Sequence, residues 1–336
     1  MFYIIQYGIN YSKIEIIFCF LMFSSIALLF YRFEYEYAIY NLRWILVYSV
    51  GFIIGKLLNT VNVQKSFFKT FFCISIIVAI YLLFFHGHEI FYKISEPLLN
   101  LRLGFSNSSM LSCFLSIGAI IGVYYIKNSQ HKFKILYLLI VLLVAFIVLR
   151  LSSRAAILMI ILGTIAIYKL NLKLILPIIV FAFVIFFTFK QDSINGRLLI
   201  WKVSSEIIMD NPIIGLGPNR FGAVYNNYQA GYFQNTSNIS EKDRSVANDN
   251  FFTFNLPIKL LSEYGFLFTG VFFILLFFLF KQAKQEPLLR AILLGLLGFA
   301  LFSYPLSEMK LAYIFFILLG MGSTFCPTKM LNKNQS

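Results

Sequence analysis

The sequence predicts an all-α polytopic integral membrane protein, with about ten transmembrane helices and one long extracytoplasmic loop, and three observations carry that prediction. Of the 336 residues 60% are hydrophobic and only 12% charged, with 40 Phe and 20 Tyr, too little charge to cover a water-exposed surface. Uncharged runs long enough for the ~30 Å hydrocarbon layer recur along the chain. These runs are continuously apolar rather than alternating with period two, which selects helices over a barrel.

The expected spans are 14–31, 44–58, 67–85, 110–126, 135–149, 155–168, 172–189, 256–280, 288–302 and 311–325. The first follows "MFYIIQYGINYSK", which has no basic n-region, and no A-x-A site comes after it, so it reads as an uncleaved signal anchor. The shorter runs reach full length through uncharged flanks or snorkelling neighbours. Cys19, Cys73, Cys113 and Cys326 fall in or at the ends of spans without C-x-x-C spacing, which argues against a disulfide or metal framework. With both termini on one side, the segments 1–13, 59–69, 127–134, 169–173, 281–287 and 326–336, with Lys56 and Arg290, hold half of the 28 Lys and Arg. Of the acidic residues this side has only Glu286, with Glu15 just inside the first span. The positive-inside rule makes it cytoplasmic and places the chain in the cytoplasmic (inner) membrane. Cytoplasmic loops thus account for the +14 net charge, and no nucleic-acid partner is implied.

One polar interruption, 190–255, is the long extracytoplasmic loop between the seventh and eighth spans. Its mixture of turn residues, aromatics and charges argues for a folded cap on the membrane rather than a connector. Two shorter outer segments are 86–109 and the tight turn "RLSSR" at 150–154. No internal repeat or linker divides the chain, so 1–336 reads as one integral membrane domain. "HGHE" reads as an interfacial loop rather than a metal site, since its two His and one Glu have no partner cluster. "GLGPNRFG" lacks the preceding strand of a phosphate-binding glycine loop and reads as a turn. Further on, Pro257 suits the first turn of the eighth span, and Lys259 and Glu263 are spaced i, i+4 for pairing on one face.

Arg102, Arg150, Arg154, Arg197, Arg220 and Arg244 all fall on the outer side, where positive charge is normally sparse. Each alone is compatible with snorkelling. As a set they suit an anionic lipid head group, because the planar guanidinium grips phosphate through two parallel donors.

Four stretches then carry a resemblance. "SSRAAIL", 152–158, resembles the Ser-Arg-small-small-x-Leu stretch of the O-antigen ligase/polymerase (Wzy_C, WaaL-like) family. "RLLIWKVSSEIIMDNPIIGLGPNRFG", 197–222, is similar to its Arg-x-x-x-Trp helix followed by Asn-Pro-x-x-Gly-x-Gly. "NLRLGFSNSSMLS", 100–112, resembles its Arg-x-x-Gly-Phe-x-Asn-Pro stretch, and "FNLPIKLLSEYG" its His-Asn, nine residues, Gly pattern, with Asn255 and Gly265 in register and Glu263 where the family often has Glu. One departure matters: Phe254 stands where the family usually shows His, and phenylalanine cannot accept a proton.

The resemblance implies a membrane glycosyltransferase that moves or polymerises glycan units (O-antigen, capsule or exopolysaccharide) from a polyprenyl-pyrophosphate carrier to a glycan or lipid acceptor at the outer face of the membrane. It needs no cofactor, because the sugar–phosphate bond holds the reaction energy. A flippase and a chain-length regulator are the protein partners such a reaction implies. Arg154 and Arg197 are the expected pyrophosphate ligands, supported by Arg102 and Arg220. Glu263, with Asn255, is the expected acceptor-side group, and Asp249 and Glu308 are further outward carboxylates. Trp201, Tyr225, Tyr228 and Tyr232 are candidates for stacking on sugar faces, or for anchoring at the interface. The competing reading is a carrier that only flips lipid-linked saccharides. Carriers place charged or broken helices near the midplane in paired halves, whereas this chain gathers charge at the outer rim.

Overall fold

The computed structural model describes residues 13–31, 35–58, 60–92, 102–169, 191–236, 241 and 253–324. These residues are helical, with no strand among them: α1 Lys13–Tyr31, α2 Tyr35–Leu57, α3 Val61–Tyr92, α4 Ser108–Asn128, α5 His131–Arg150, α6 Arg154–Tyr168, α7 Gln191–Asp210, α8 Phe221–Asn235, α9 Leu256–Gln282, α10 Pro287–Ala300 and α11 Met309–Ser323. Each expected span on described residues coincides with one of these helices, and the span 172–189 lies outside them. Among the described residues, four helices are long and apolar enough to cross a membrane, at Asn62–Phe91, Ser108–Asn128, His131–Arg150 and Leu256–Gln282. Shorter apolar helices occupy Arg154–Tyr168, Pro287–Ala300 and Met309–Ser323.

Burial sorts these helices into inner and outer ones. α4 is buried along most of its length, and its Ser116 hydroxyl donates to the carbonyls of Ser112 and, on α6, Ala156. α5 buries only Val141, Val144, Ile147 and Val148, and exposes Phe133, Leu139 and Leu142 among others, the pattern of a lipid-facing helix. α2 meets α11 where Gly55 faces Gly320: a Cβ on Gly55 would come within 2.9 Å of the Gly320 Cα, so only small residues allow this approach.

Two helices begin or end away from the apolar runs. α2 starts at Tyr35 rather than near 44, because the polar residues of its first turns have distant partners. Asn41 Nδ2 donates to the Pro218 carbonyl at 3.4 Å, and Arg43 reaches Met309 Sδ at 3.9 Å. α3 runs on through "HGHE" to Tyr92, so the interfacial loop expected there is corrected to helix. Gly87 is tolerated within it, and His86 Nδ1 lies 3.8 Å from Glu89 Oε1 one turn on.

Within the expected loop 190–255, α7 and α8 flank a turn over 211–220 and bury a core of their own from Leu199, Ile200, Val203, Ile207, Phe221 and Tyr225. This unit docks on α9. At Gly265 the backbone of α9 leaves helical geometry, with φ 72° and ψ −177°. The break frees carbonyls and an N–H that neighbouring residues must satisfy inside a membrane. The turn does so: Leu216 N–H donates to Ser262 O at 2.9 Å, Gly217 N–H to Glu263 O at 2.9 Å, and Phe266 N–H to Pro212 O at 2.8 Å. Gly215 (φ 72°) has no room for a side chain, since a Cβ would lie 2.5 Å from the Glu263 carbonyl carbon. The reading of "GLGPNRFG" as a turn therefore holds, and its glycines are explained by close approach of two backbones.

Candidate functional site

Hydrogen bonds gather several helix ends and the segments between them at one end of the bundle. Asn107 caps α4, its side-chain oxygen accepting the Met110 N–H at 2.9 Å. The hydroxyls of Ser109 and Ser153 meet at 2.9 Å, joining the start of α4 to the tight turn between α5 and α6, where Ser152 adopts φ 56°. Glu308 Oε2 accepts the Ser106 N–H at 2.8 Å, and Lys310 donates to Gly104 O at 2.6 Å while standing 4.4 Å from the Phe105 ring centroid. The "RLGFSN" segment is thus pinned to the start of α11. These ties were not legible in the sequence, because they join residues about two hundred positions apart.

Arg154 opens α6, and Arg197 sits one turn and a half into α7, partly buried. Arg197 donates to the Phe302 carbonyl at 3.2 Å, and its guanidinium carbon lies 5.3 Å from the Phe254 ring centroid. Burial, and then the positive charge of Arg154 beside it, push the Arg197 guanidinium down to about 10 from the ordinary arginine range. The two arginines expected to act as a pair thus feel each other's charge. Phe254, at the position where the family shows His, faces one of them.

Other expected residues have their polar atoms committed to the backbone. Asn255 caps α9: its Oδ1 accepts the Ile258 N–H at 2.9 Å and its Nδ2 donates to Leu301 O at 2.9 Å. Pro257 follows in the first turn, as expected. Trp201 Nε1 donates to Thr253 O at 2.8 Å, which ties α7 to the segment bearing Phe254. Arg150 reaches back to the carbonyls of Ile90 (2.7 Å) and Glu89 (3.4 Å) at the end of α3. Tyr225 is fully buried against Phe221, so the expectation that it stacks on sugar is corrected. Tyr228 donates to Asp210 Oδ2 at 2.7 Å from a half-buried position. Arg220 precedes α8 and is half-buried, while Arg102 is exposed. Asp249 and Arg244 lie outside the described residues.

Lys259 and Glu263 do pair, at 2.5 Å, both almost fully buried. They line a cavity of about 80 Å³ with Asn41, Asn219, Tyr304 and Ser307 among its other walls. Lys259 also lies 5.2 Å from the Phe221 ring centroid and 5.8 Å from that of Tyr304. Glu263 Oε1 accepts the Phe221 N–H at 3.3 Å. The carboxylate expected on the acceptor side is therefore engaged by an ammonium and a helix N-terminus.

The segments so assembled are those that carry the resemblance. The sequence model of the family described as O-antigen ligase (Wzy_C) matches residues 97–267, just over half the chain, from the segment before α4 to two residues past the break in α9. No curated protein sequence matches the chain at a significant level. On the family match, with the motifs meeting at one end of a membrane-type helical bundle, the chain belongs to the O-antigen ligase family.

Proposed function

We propose that this protein transfers or polymerises glycan units from a polyprenyl-pyrophosphate carrier at the outer face of the cytoplasmic membrane, both termini lying in the cytoplasm. Arg154 and Arg197 hold the pyrophosphate, with Arg220 and Arg102 in support. The acceptor hydroxyl attacks the anomeric carbon as the bond from that carbon to the phosphate oxygen breaks; the electron pair leaves with the lipid pyrophosphate, and the hydroxyl proton passes to the departing pyrophosphate or to water. The charge that develops on that oxygen is what a guanidinium pair stabilises. One observation carries the reading: the guanidinium of Arg197 is partly buried and fixed by the Phe302 carbonyl at 3.2 Å and the Phe254 ring at 5.3 Å, and burial, then the charge of Arg154, disfavours its protonated form, a penalty that a bound polyanion relieves.

The surroundings support an electrostatic role. Arg197 is oriented by the Phe302 carbonyl and the Phe254 face rather than left to swing, so little reorganisation accompanies charge development. The broken helix α9 is the feature that would favour a carrier. Its freed groups at Ser262, Glu263 and Phe266 are taken up by the turn 212–217, not left for a solute, which favours the enzyme.

Arg154→Ala and Arg197→Ala are each expected to abolish long glycan chains at normal protein levels, read from the banding of extracted polysaccharide. Loss of one such donor lowers the rate by roughly 10²–10³-fold. An unchanged ladder in both variants would refute the proposal.

A further inference from the structure

Lys259, Glu263 and Glu308 are the buried charged side chains among the described residues. Glu308 is accounted for by the Ser106 N–H. The other two sit where three elements meet: α9 itself, the turn 211–220 and the start of α8. Arg220, the residue before α8, contributes no side-chain cap, so the first N–H groups of that helix need an acceptor from elsewhere. Glu263 Oε1 supplies one to Phe221 at 3.3 Å, and a carboxylate at a helix N-terminus also meets the positive end of the helix dipole. The carbonyl of the same residue takes the Gly217 N–H. Glu263 therefore holds the turn by its backbone and α8 by its side chain. A lone carboxylate so deeply buried would be strongly disfavoured. Lys259, one helical turn earlier and itself 4% exposed, provides the countercharge at 2.5 Å. On the far side of the turn, Asn219 donates to Asn41, and Asn41 to the Pro218 carbonyl, so α2 grips it as well.

We propose that Glu263 and Lys259 are positioning residues: Glu263 caps α8 from across the fold, Lys259 keeps that carboxylate buried as an ion, and together they lock the α7–turn–α8 unit, and with it Arg197, onto α9. This rests on Arg197 being a pyrophosphate ligand. It assigns no proton transfer to Glu263, whose Oε1 is already shared between an ammonium and an amide hydrogen.

The test uses the full chain, read in two ways: the glycan ladder in cells, and amide hydrogen exchange over 216–225 in purified protein. Glu263→Gln keeps the acceptor oxygen but strands the Lys259 cation, and removing one partner of a buried pair is strongly disruptive. Exchange at least about tenfold faster, with a shortened ladder, is expected. The double variant Lys259→Met/Glu263→Gln strands no charge and still presents an oxygen to Phe221, so both protection and ladder should return. Lys259→Met/Glu263→Leu lacks that oxygen, and its exchange should remain fast. If the Met/Gln variant is protected like the native chain yet makes no long glycan, the carboxylate takes part in the chemistry and the proposal is overturned. Exchange that is unchanged in every variant, or that stays fast in the Met/Gln variant, also overturns it. Should Glu263→Gln alone fail to fold, recovery by the Met/Gln variant still decides in favour. Survival of the ladder in the Arg154 and Arg197 variants would instead remove the proposed reaction, leaving the exchange result to judge the lock alone.

Discussion

Replacing Gly265 with alanine tests the junction between α9 and the turn. Gly265 occupies φ 72°, ψ −177°, a region open essentially to glycine alone, where another residue is strained by about 1–3 kcal/mol. A Cβ there would also collide with the Ile213 carbonyl and lie 2.7 Å from the Ile214 nitrogen. Forcing a methyl group into such packing costs about 1–3 kcal/mol more. The alternative is to withdraw the turn, which gives up the Leu216, Gly217 and Phe266 hydrogen bonds, worth about 1 kcal/mol each. Either way the penalty is roughly 2–6 kcal/mol, large enough to straighten α9 and detach the α7–turn–α8 unit while the rest of the helix bundle persists. Gly265→Ala should therefore reach the membrane at normal levels, lose long glycan chains, and become sensitive to proteolysis within 211–220. Gly270, on the same helix, is the control: a Cβ there meets nothing within 4 Å, and alanine favours helix over glycine by about 1 kcal/mol. Gly270→Ala should keep the native ladder. A Gly265→Ala protein with the native ladder and native protease resistance would rule out this account of the junction.

Two further predictions concern the arginine pair. Arg197 is held down to about 10 by burial and by Arg154, so it stays protonated through neutral pH, and native activity should not fall with its titration below pH 9. A lysine at 197 starts from about 10.4 and, under the same burial and repulsion, should titrate near ~8. Lysine loses its charge above that value, so the activity of Arg197→Lys should decline as pH rises through about 8, and a pH–rate profile parallel to the native one would contradict the environment assigned to Arg197. Phe254 has φ 50°, a left-handed conformation that His adopts more readily than most residues, so Phe254→His should fold. With Arg197 beside it, the imidazole should titrate below its ordinary value of about 6.5. The imidazole therefore stays neutral at pH 7, long-chain synthesis should persist there, and a folded variant inactive at pH 7 would contradict the prediction.

The helices were legible because each apolar run is a local property: a segment of sufficient length that cannot leave its backbone unpaired in hydrocarbon must coil on itself. Pro257 also marked the start of α9, since a pre-set φ acts within one turn. The ion pair Lys259–Glu263 followed from i, i+4 spacing alone. Where local reasoning failed, a distant partner had intervened. The expected span began near 44, yet Asn41 and Arg43, with partners at Pro218 and Met309, sit inside α2. Trp201, Asn255 and Tyr225 looked available to substrate, and their commitments to Thr253, Leu301 and Phe221 are made between elements or in a shared core.

The sequence by itself determined a helical membrane protein of the O-antigen ligase family, with arginines clustered in the segments that carry its motifs. Only the tertiary structure decided what those motifs do to one another. It set Gly215 against Glu263, Gly265 against Ile213, and Arg197 against the Phe254 ring and the Phe302 carbonyl. Periodicity and propensity report on a few neighbouring residues, whereas a broken helix is stable only where backbone from some fifty residues away takes up its freed hydrogen bonds.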